Sequence, residues 1–276
     1  MMSLSACGTP QPFRKAVAGH APSLPVTTSH DGLTRKATLS VLTYNIEGLA
    51  WPARSGRSGS LARIGHYLSE LRENGKGPDI VLVQEMFSGS AKKAVLSAGY
   101  PDIVSGPNRT MRPVGATRDH LPGKAKLKRG ELGLRFVGSG IAIMSRFPII
   151  DVVKQPYGRR SCPGLDCLSN KGVMLAKIAL PGVPVPIEMY NTHMNSRKAS
   201  KAPKPRHLAA HDRQALEASR FIGNVTDNAS PLVFGGDFNM KHSEARWEQF
   251  SRYHALKLVH ETCSQVPSPC DVRMSW

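Results

Sequence analysis

Residues 232–239 have the sequence Leu232-Val-Phe-Gly-Gly-Asp-Phe-Asn239, an apolar run that ends in polar side chains. Its β-branched and aromatic residues, followed by paired glycines, predict a strand that stops near Asp237. Working outward from this stretch, three other predicted strands end at or just before Asn45, Glu85 and His193. Ligand sites in α/β cores form where strands end at one edge of a sheet, so we expect these polar side chains to converge.

The chain between these strand ends predicts a layered α/β core. Leu61, Ile64, Leu68 and Leu71 recur at helical spacing between two apolar strand patterns. His207 and His211 are expected on the solvent-facing surface of a later amphipathic helix. The remaining predicted elements are strands over 37–46, 80–85 and 138–145, a short helix over 90–98, a hairpin of 173–179 and 185–191, and that later helix over 207–224.

The chain is strongly basic. It has 37 Lys and Arg against 20 Asp and Glu, a formal net charge of +17. Such a surface attracts phosphate-bearing partners. The charge is concentrated in residues 109–135 and 197–206, which are either solvated loops or contacts with an anionic substrate or membrane. No stretch approaches the roughly 20 apolar residues that are needed to cross a bilayer.

The first residues resemble a processing site. Leu4-Ser5-Ala6-Cys7 is similar to a bacterial lipoprotein signal, which makes Cys7 a lipidation candidate. The charged and apolar stretch that should precede it is missing, so either the start codon is placed too far downstream or the match is chance. We predict a flexible leader or tether over residues 1–36 and one domain over residues 37–276.

The other four cysteines form two close pairs. Cys162 and Cys167, and Cys263 and Cys270, each flank a short Pro-containing segment, which favours two local disulfides. A four-cysteine zinc site and free buried cysteines are the alternatives. Disulfides together with the lipoprotein-like start indicate an exported protein, located in a bacterial cell envelope or secreted.

Five motifs in order resemble one superfamily. They are Thr43-Tyr-Asn45-Ile46, Val83-Gln-Glu85, the segment 138–149, Asn191-Thr-His193 and Gly236-Asp237-Phe-Asn239. The chain therefore resembles the endonuclease/exonuclease/phosphatase superfamily, which includes DNase I-like nucleases, inositol phosphatases and bacterial sphingomyelinases. The resemblance implies an α/β, DNase I-like fold: a four-layer sandwich of two mixed β-sheets flanked by helices.

The resemblance also implies roles for individual residues. Glu85 would be the principal metal ligand, and Asn45 would lie beside the metal and the phosphate. His193 would hydrogen-bond the scissile phosphate or act as an acid, while Asp237 and Asn239 would orient the attacking water and the phosphoryl oxygens. One carboxylate with amides and water suits Mg²⁺ or Mn²⁺ and is a poor zinc set.

Superfamily members end with a further strand and a Ser-Asp-His motif, which we do not find after Asn239. We therefore expect the fold to lack its C-terminal strand or strands, and the chain as given to be inactive if it is truncated. The predicted function is a metal-dependent phosphodiester hydrolase that acts on nucleic acid or a phospholipid head group. The alternative is a catalytically degenerate exported protein that binds anionic lipid or nucleic acid. No obligate protein partner is inferred.

Overall fold

The computed structural model describes residues 13–14, 23–24, 26–28, 30, 35–49, 53–114, 119–126, 128, 130–131, 133–265 and 272. The strands are β1 (Phe13–Arg14), β2 (Val26–Thr28), β3 (Arg35–Ala37), β4 (Val41–Asn45), β5 (Ile80–Gln84), β6 (Asp102–Ser105), β7 (Ala142–Ser145), β8 (Ile149–Pro156), β9 (Gly172–Ile178), β10 (Ile187–His193) and β11 (Leu232–Asp237). The helices are α1 (Ser58–Glu73), α2 (Gly89–Ser97), α3 (Lys204–Val225), α4 (Glu244–Tyr253) and α5 (Val259–Cys263).

Two mixed sheets form the centre of the fold. The first has the strand order β1-β6-β7-β5-β4, and the second has the order β11-β10-β9-β8. Each sheet contains one parallel pair, β4 with β5 and β10 with β11, and the pairs between β5, β6 and β7 and between β8, β9 and β10 are antiparallel. β2 and β3 form a separate two-stranded ribbon.

The alternation along β5 shows why the sheets pack in four layers. Ile80 and Leu82 lie in the core between the two sheets, together with Met174 of β9. Val81 and Val83 point the other way, into the core that α1 and α2 cover. A strand that is buried on both faces needs a continuous apolar run, as predicted for residues 80–85. On the outer face of the second sheet, α3 supplies the covering layer.

The two parallel pairs position the candidate site. A parallel pair needs a crossover, which α1 provides for β4 and β5 and α3 provides for β10 and β11. In register, Asn45 lies opposite Gln84 in the first sheet. His193 lies opposite Asp237 in the second sheet. Both pairs therefore bring polar strand ends to the same edge of the sandwich.

The long periodic elements were predicted correctly, including the antiparallel hairpin of β9 and β10. β6, β8, α4 and α5 were not predicted, because short or half-exposed elements give weak periodicity. β1 lies inside the predicted leader, where it pairs with β6. The boundary at residue 37 stays a prediction.

The expectation for two histidines was wrong, since His207 and His211 are both buried. The apolar residues of α3 recur only every seven positions, so its polar face was assigned to solvent. In the structure Arg246 of α4 covers that face, and its Nη2 lies 3.2 Å from His207 Nδ1. Burial and the nearby Arg246 charge lower the pKa of His211 to about 4, against the opposing effect of its contact with the Phe238 carbonyl.

The first cysteine pair is confirmed, because Cys162 and Cys167 form a disulfide. Cys263 is also disulfide-bonded. Cys270 and the lipidation candidate Cys7 lie outside the described residues, so the second pairing and the lipidation stay predictions. Within the described part of the chain, no helix combines the length and apolar character needed to span a membrane.

Candidate functional site

The side chain of Asn45 links the two sheets at the site. Its Nδ2 donates to Glu85 Oε1 over 3.1 Å and to Asp237 Oδ2 over 2.8 Å. Its Oδ1 accepts from the backbone N–H of Glu47 over 3.0 Å, which fixes the orientation of the amide. One amide donor therefore holds two carboxylates, one from each sheet, side by side.

Glu85 occupies an unusual backbone conformation. Its φ of 61° lies in the left-handed region, which costs a non-glycine residue about 1–2 kcal/mol. Gly48 packs against it so closely that a Cβ there would lie 2.6 Å from the Glu85 carbonyl oxygen. Burial raises the pKa of Glu85, although the Asn45 hydrogen bond and the Lys171 charge oppose this rise. A carboxylate of this kind gains from a nearby cation.

His193 is buried beside a lysine that the sequence analysis did not identify. Lys171 Nζ lies 3.3 Å from His193 Nε2 and donates to the Met194 carbonyl over 3.0 Å. An ammonium group only donates, so Nε2 accepts and the imidazole proton resides on Nδ1. No described residue accepts a hydrogen bond from that Nδ1. Burial and the Lys171 charge lower the pKa of His193 to about 3, against the opposing Asp237 carboxylate, so the ring is neutral.

Asp237 and Asn239 form the side of the site that follows β11. Burial raises the pKa of Asp237, but the hydrogen bonds from the Asn45 amide and the Asn239 backbone N–H, together with the Lys171 charge, hold it below its usual range. Asn239 N donates to Asp237 Oδ1 over 2.9 Å, and Asn239 Nδ2 donates to the Met194 carbonyl over 3.0 Å. Asp237 Oδ2 lies 3.7 Å from His193 Nε2, beyond hydrogen-bond distance. Asp237 is thus an ionised acceptor in the middle of the cluster.

Lys171 is held by a buried ion pair. Its Nζ lies 3.0 Å from Asp166 Oδ1, and Asp166 Oδ2 accepts from the backbone N–H of Ser196 over 2.7 Å. Asp166 belongs to a short 3-10 helix over Gly164–Leu168, which the Cys162–Cys167 disulfide closes. The predicted hairpin contained a signal for Lys171, since the start of β9 must lie beside the end of β10, where His193 is located.

Polar side chains beneath the site join the two sheets. Gln84 Nε2 donates to Asn191 Oδ1 over 2.9 Å, and Asn191 Nδ2 donates to the carbonyls of Val83 and Ala142. Each of these two residues comes just before a candidate site residue, Glu85 or His193. Buried polar groups are costly unless they are paired, so this network fixes how the strand ends face each other. Both motifs are visible in the sequence, but their positioning role follows only from the contact between the two sheets.

A second missed group supports the loop after β11. Arg246 is fully buried, and its Nη1 donates to the carbonyls of Asn195 and Asn239. Burial and the charge of Arg197 lower the pKa of Arg246 to about 10, against the opposing carboxylates of Asp166 and Asp237. Arg206, which was expected in a basic surface stretch, is likewise buried and pairs with Glu131 over 2.7 Å. It is therefore removed from the candidate contacts with an anionic substrate.

The donor set fits magnesium or manganese. Asn45 engages Oε1 of Glu85, while no hydrogen bond within the described residues engages Oε2. The described residues contain no cluster of three or more His, Cys, Asp or Glu side chains arranged to hold a metal. Mg²⁺ is commonly held by one or two carboxylates and keeps several waters, whereas zinc needs three or four protein ligands. Asn45 Oδ1 is already hydrogen-bonded to a backbone N–H, so Glu85 is the stronger ligand candidate.

Comparison with known proteins places the chain in a family. The model of the Endonuclease/Exonuclease/phosphatase family matches residues 42–248. Sphingomyelin phosphodiesterase 2 of Rattus norvegicus is 26% identical over 150 residues, which cover 49% of this chain and 35% of that protein. The match thus spans about a third of the length of this curated relative.

Solved structures share the fold. A double variant of beta toxin from Staphylococcus aureus, crystallised with bound magnesium ions, has a TM-score of 0.62 and 20% identity, covering 80% of this chain and 71% of that one. Sphingomyelinase C from Streptomyces griseocarneus has a TM-score of 0.59 and 21% identity, with the same coverage of 80% and 71%. The family model matches residues 42–248, and the structure has two mixed sheets between helical layers. The chain therefore belongs to the Endonuclease/Exonuclease/phosphatase family.

Proposed function

We propose that the protein is a Mg²⁺- or Mn²⁺-dependent phosphodiester hydrolase whose water nucleophile attacks phosphorus. The observation that carries the proposal is the shared amide of Asn45, which holds Glu85 and Asp237 together next to His193 and Lys171. Hydrolysis of a phosphodiester needs an oriented water, positive charge at the non-bridging oxygens and stabilisation of the leaving oxygen. The cluster contains a group suited to each task.

The residues divide the work by charge. Asp237 is ionised at neutral pH, so it accepts a hydrogen bond from the attacking water and orients it with the Asn239 amide. Lys171 contributes positive charge to the phosphoryl oxygens through space, since its three donors already have acceptors within the protein. A divalent ion held by Glu85 would supply further positive charge to the same oxygens. His193 is neutral in the free protein and hydrogen-bonds the phosphate; an acid role requires the anionic substrate to raise its pKa.

For the substrate, we propose a phospholipid head group of the sphingomyelin class. Support comes from the rat relative, which is a sphingomyelin phosphodiesterase, and from the basic surface, which suits a phosphate-bearing interface. Nucleic acid carries the same phosphodiester chemistry, and the fold alone does not choose between them.

The test assays the protein expressed from the gene with its downstream sequence, in Mg²⁺ and in EDTA, against sphingomyelin in mixed micelles, plasmid DNA and bis(p-nitrophenyl) phosphate. Mg²⁺-dependent release of phosphocholine supports the proposal, and nicking of plasmid without phosphocholine release assigns nucleic acid instead. If all three substrates remain intact while the chain still binds anionic vesicles or DNA, the degenerate binding protein replaces the enzyme.

We also propose that the protein is exported, because the Cys162–Cys167 disulfide is a bond that persists in oxidising compartments. Attachment to the cell envelope through Cys7 is a separate proposal. Fractionation of a bacterial host that expresses the gene with its upstream sequence tests both. Export places the protein outside the cytoplasm, and lipidation at Cys7 keeps it in the membrane fraction unless Cys7→Ala releases it.

A further inference from the structure

A short segment beside the site holds two large apolar side chains in solvent. Leu134 and Phe136 are 60% and 63% exposed. Arg135 and Val137, which alternate with them, are partly buried. Burial and the Arg159 charge lower the pKa of Arg135 to about 10, against the opposing Glu217 carboxylate. The alternation is that of a strand with one apolar face left uncovered.

Hydrogen bonds fix this orientation. Phe136 N donates to the Leu168 carbonyl over 2.8 Å, and Asn170 N donates to the Val137 carbonyl over 3.0 Å. Val137 also forms a parallel bridge with Ser169, and Arg135 Nη1 donates to the Ser169 carbonyl over 2.5 Å. Leu134 and Phe136 cannot rotate inward without breaking these bonds. The hydrogen-bonded backbone therefore holds these two side chains in solvent.

The chain next to this segment is positively charged. Lys124, Lys126 and Lys128 are exposed. The acidic residue within this stretch of sequence, Glu131, is already paired with Arg206. Glu131 Oε2 also accepts from the backbone N–H of Lys126 over 2.8 Å, which ties the lysine-bearing loop to the domain. Basic residues beside exposed apolar side chains are the combination that binds anionic lipid surfaces.

The segment is directly connected to the candidate site. Its hydrogen-bond partners are Leu168, Ser169 and Asn170, and the next residue is Lys171, whose ammonium group lies against His193. Asn170 also donates from Nδ2 to the carbonyls of Asn108 and Met111, so it binds a second basic loop to the same place. A surface that docks here would lie close to the cluster of Glu85, Asp237 and His193.

We infer that Leu134 and Phe136 insert into the interface of an anionic lipid bilayer, while the neighbouring lysines contact lipid phosphates. A bilayer accepts both side chains, since leucine and phenylalanine each lose water-exposed apolar surface there. The bases of a nucleic acid would stack on the Phe136 ring, but they would not bury the Leu134 side chain. This membrane contact rests on the proposed function, because it would bring the site to a lipid substrate. It is tested by vesicle binding, which requires no hydrolysis.

The test measures binding of the full chain to vesicles of phosphatidylcholine and phosphatidylserine by co-sedimentation, in low and high salt. We expect Leu134→Ser with Phe136→Ser to lower the vesicle partition coefficient by about tenfold or more, because two apolar side chains that would be buried in the bilayer are lost. Leu96 is the matched control, since it is 62% exposed on α2, and Leu96→Ser should bind as wild type does. Far-UV circular dichroism checks that all variants are folded.

A gain-of-signal variant gives an independent readout. The tryptophan of Phe136→Trp should be quenched by brominated lipid in the vesicles, and that of Leu96→Trp should not. Wild-type vesicle binding by the double serine variant, or an unquenched Phe136→Trp, would each overturn the inference. Hydrolysis of soluble bis(p-nitrophenyl) phosphate should be the same in wild type and the serine variant. If neither wild type nor the double serine variant hydrolyses this substrate, the proposed function is contradicted, whereas the vesicle-binding result still tests the membrane contact.

Discussion

Replacing Lys171 by methionine removes one half of a buried ion pair. Lys171 and Asp166 have side chains that are only 6% and 10% exposed, with Nζ and Oδ1 separated by 3.0 Å. Methionine fills similar volume but provides neither charge nor donor. The Asp166 carboxylate would then keep one hydrogen bond, from the backbone N–H of Ser196, and would lose its counter-charge.

The expected loss of stability follows from that geometry. Removing one partner of a buried pair leaves an uncompensated charge and typically costs about 3–5 kcal/mol. Asp166 retains the Ser196 hydrogen bond, so we expect Lys171→Met to lower the free energy of unfolding by about 3 kcal/mol. Adding Asp166→Asn removes the stranded charge and keeps an acceptor for Ser196, so the double variant should recover roughly half of that loss.

Urea denaturation followed by circular dichroism measures these differences, and a double-mutant cycle extracts the coupling between the two residues. The control is Arg54→Met, which breaks an ion pair with Glu47 in which both side chains are half exposed and which should cost under about 1 kcal/mol. If Lys171→Met proves as mild as Arg54→Met, or if the double variant is no more stable than the single one, the buried pair does not hold Lys171 as argued.

Three further predictions concern the support of the site. Cys162→Ser with Cys167→Ser opens a six-residue loop, which should lower the free energy of unfolding by roughly 2 kcal/mol in chemical denaturation and reduce hydrolysis, because the aspartate between them positions the site lysine. Burial holds the pKa of His254 at about 4, below its unfolded value near 6.5, so its contribution to stability is full above pH 6.5 and falls by about 1.4 kcal/mol per unit as the pH drops towards 4. His254→Gln should remove that slope from the pH dependence of the free energy of unfolding in urea, and an unchanged dependence would refute it. Gly236 has a φ of 136°, and a Cβ there would lie 2.2 Å from the Thr192 carbonyl oxygen. Gly236→Ala should therefore lower the free energy of unfolding by about 2 kcal/mol or more, as measured by thermal unfolding. A neutral effect would mean that β10 and β11 tolerate a wider spacing.

Much of the fold was accessible from local patterns. The continuous apolar run of β5 predicts a strand buried on both faces, and helical spacing of leucines predicts α1. The polar strand ends were predicted to converge, and Asn45, Glu85, His193 and Asp237 do lie together. Their catalytic and metal-binding roles stay proposals that the tests above address.

Other features of the site depend on contacts between residues that lie far apart in the sequence, which local patterns do not predict. The Asn45 amide that joins Glu85 to Asp237 depends on how two sheets pack, which no local pattern encodes. His211 was assigned to the surface because its partner, the Phe238 carbonyl, lies in the loop after β11, and no local pattern predicts that contact. Lys171 before a strand looks like any solvated lysine, and its position beside His193 follows only when the predicted hairpin of β9 and β10 is placed in register.

Metal-dependent turnover in a matched pair of carboxylate variants tests the central claim most directly. Hydrolysis of sphingomyelin and bis(p-nitrophenyl) phosphate is measured against Mg²⁺ concentration for wild type, Glu85→Gln and Glu73→Gln, the last of which changes an exposed carboxylate at the end of α1. We predict that Glu85→Gln lowers kcat by at least about a hundredfold without changing the unfolding transition, while Glu73→Gln matches wild type. Mg²⁺-dependent turnover that survives in Glu85→Gln would contradict the site proposed here.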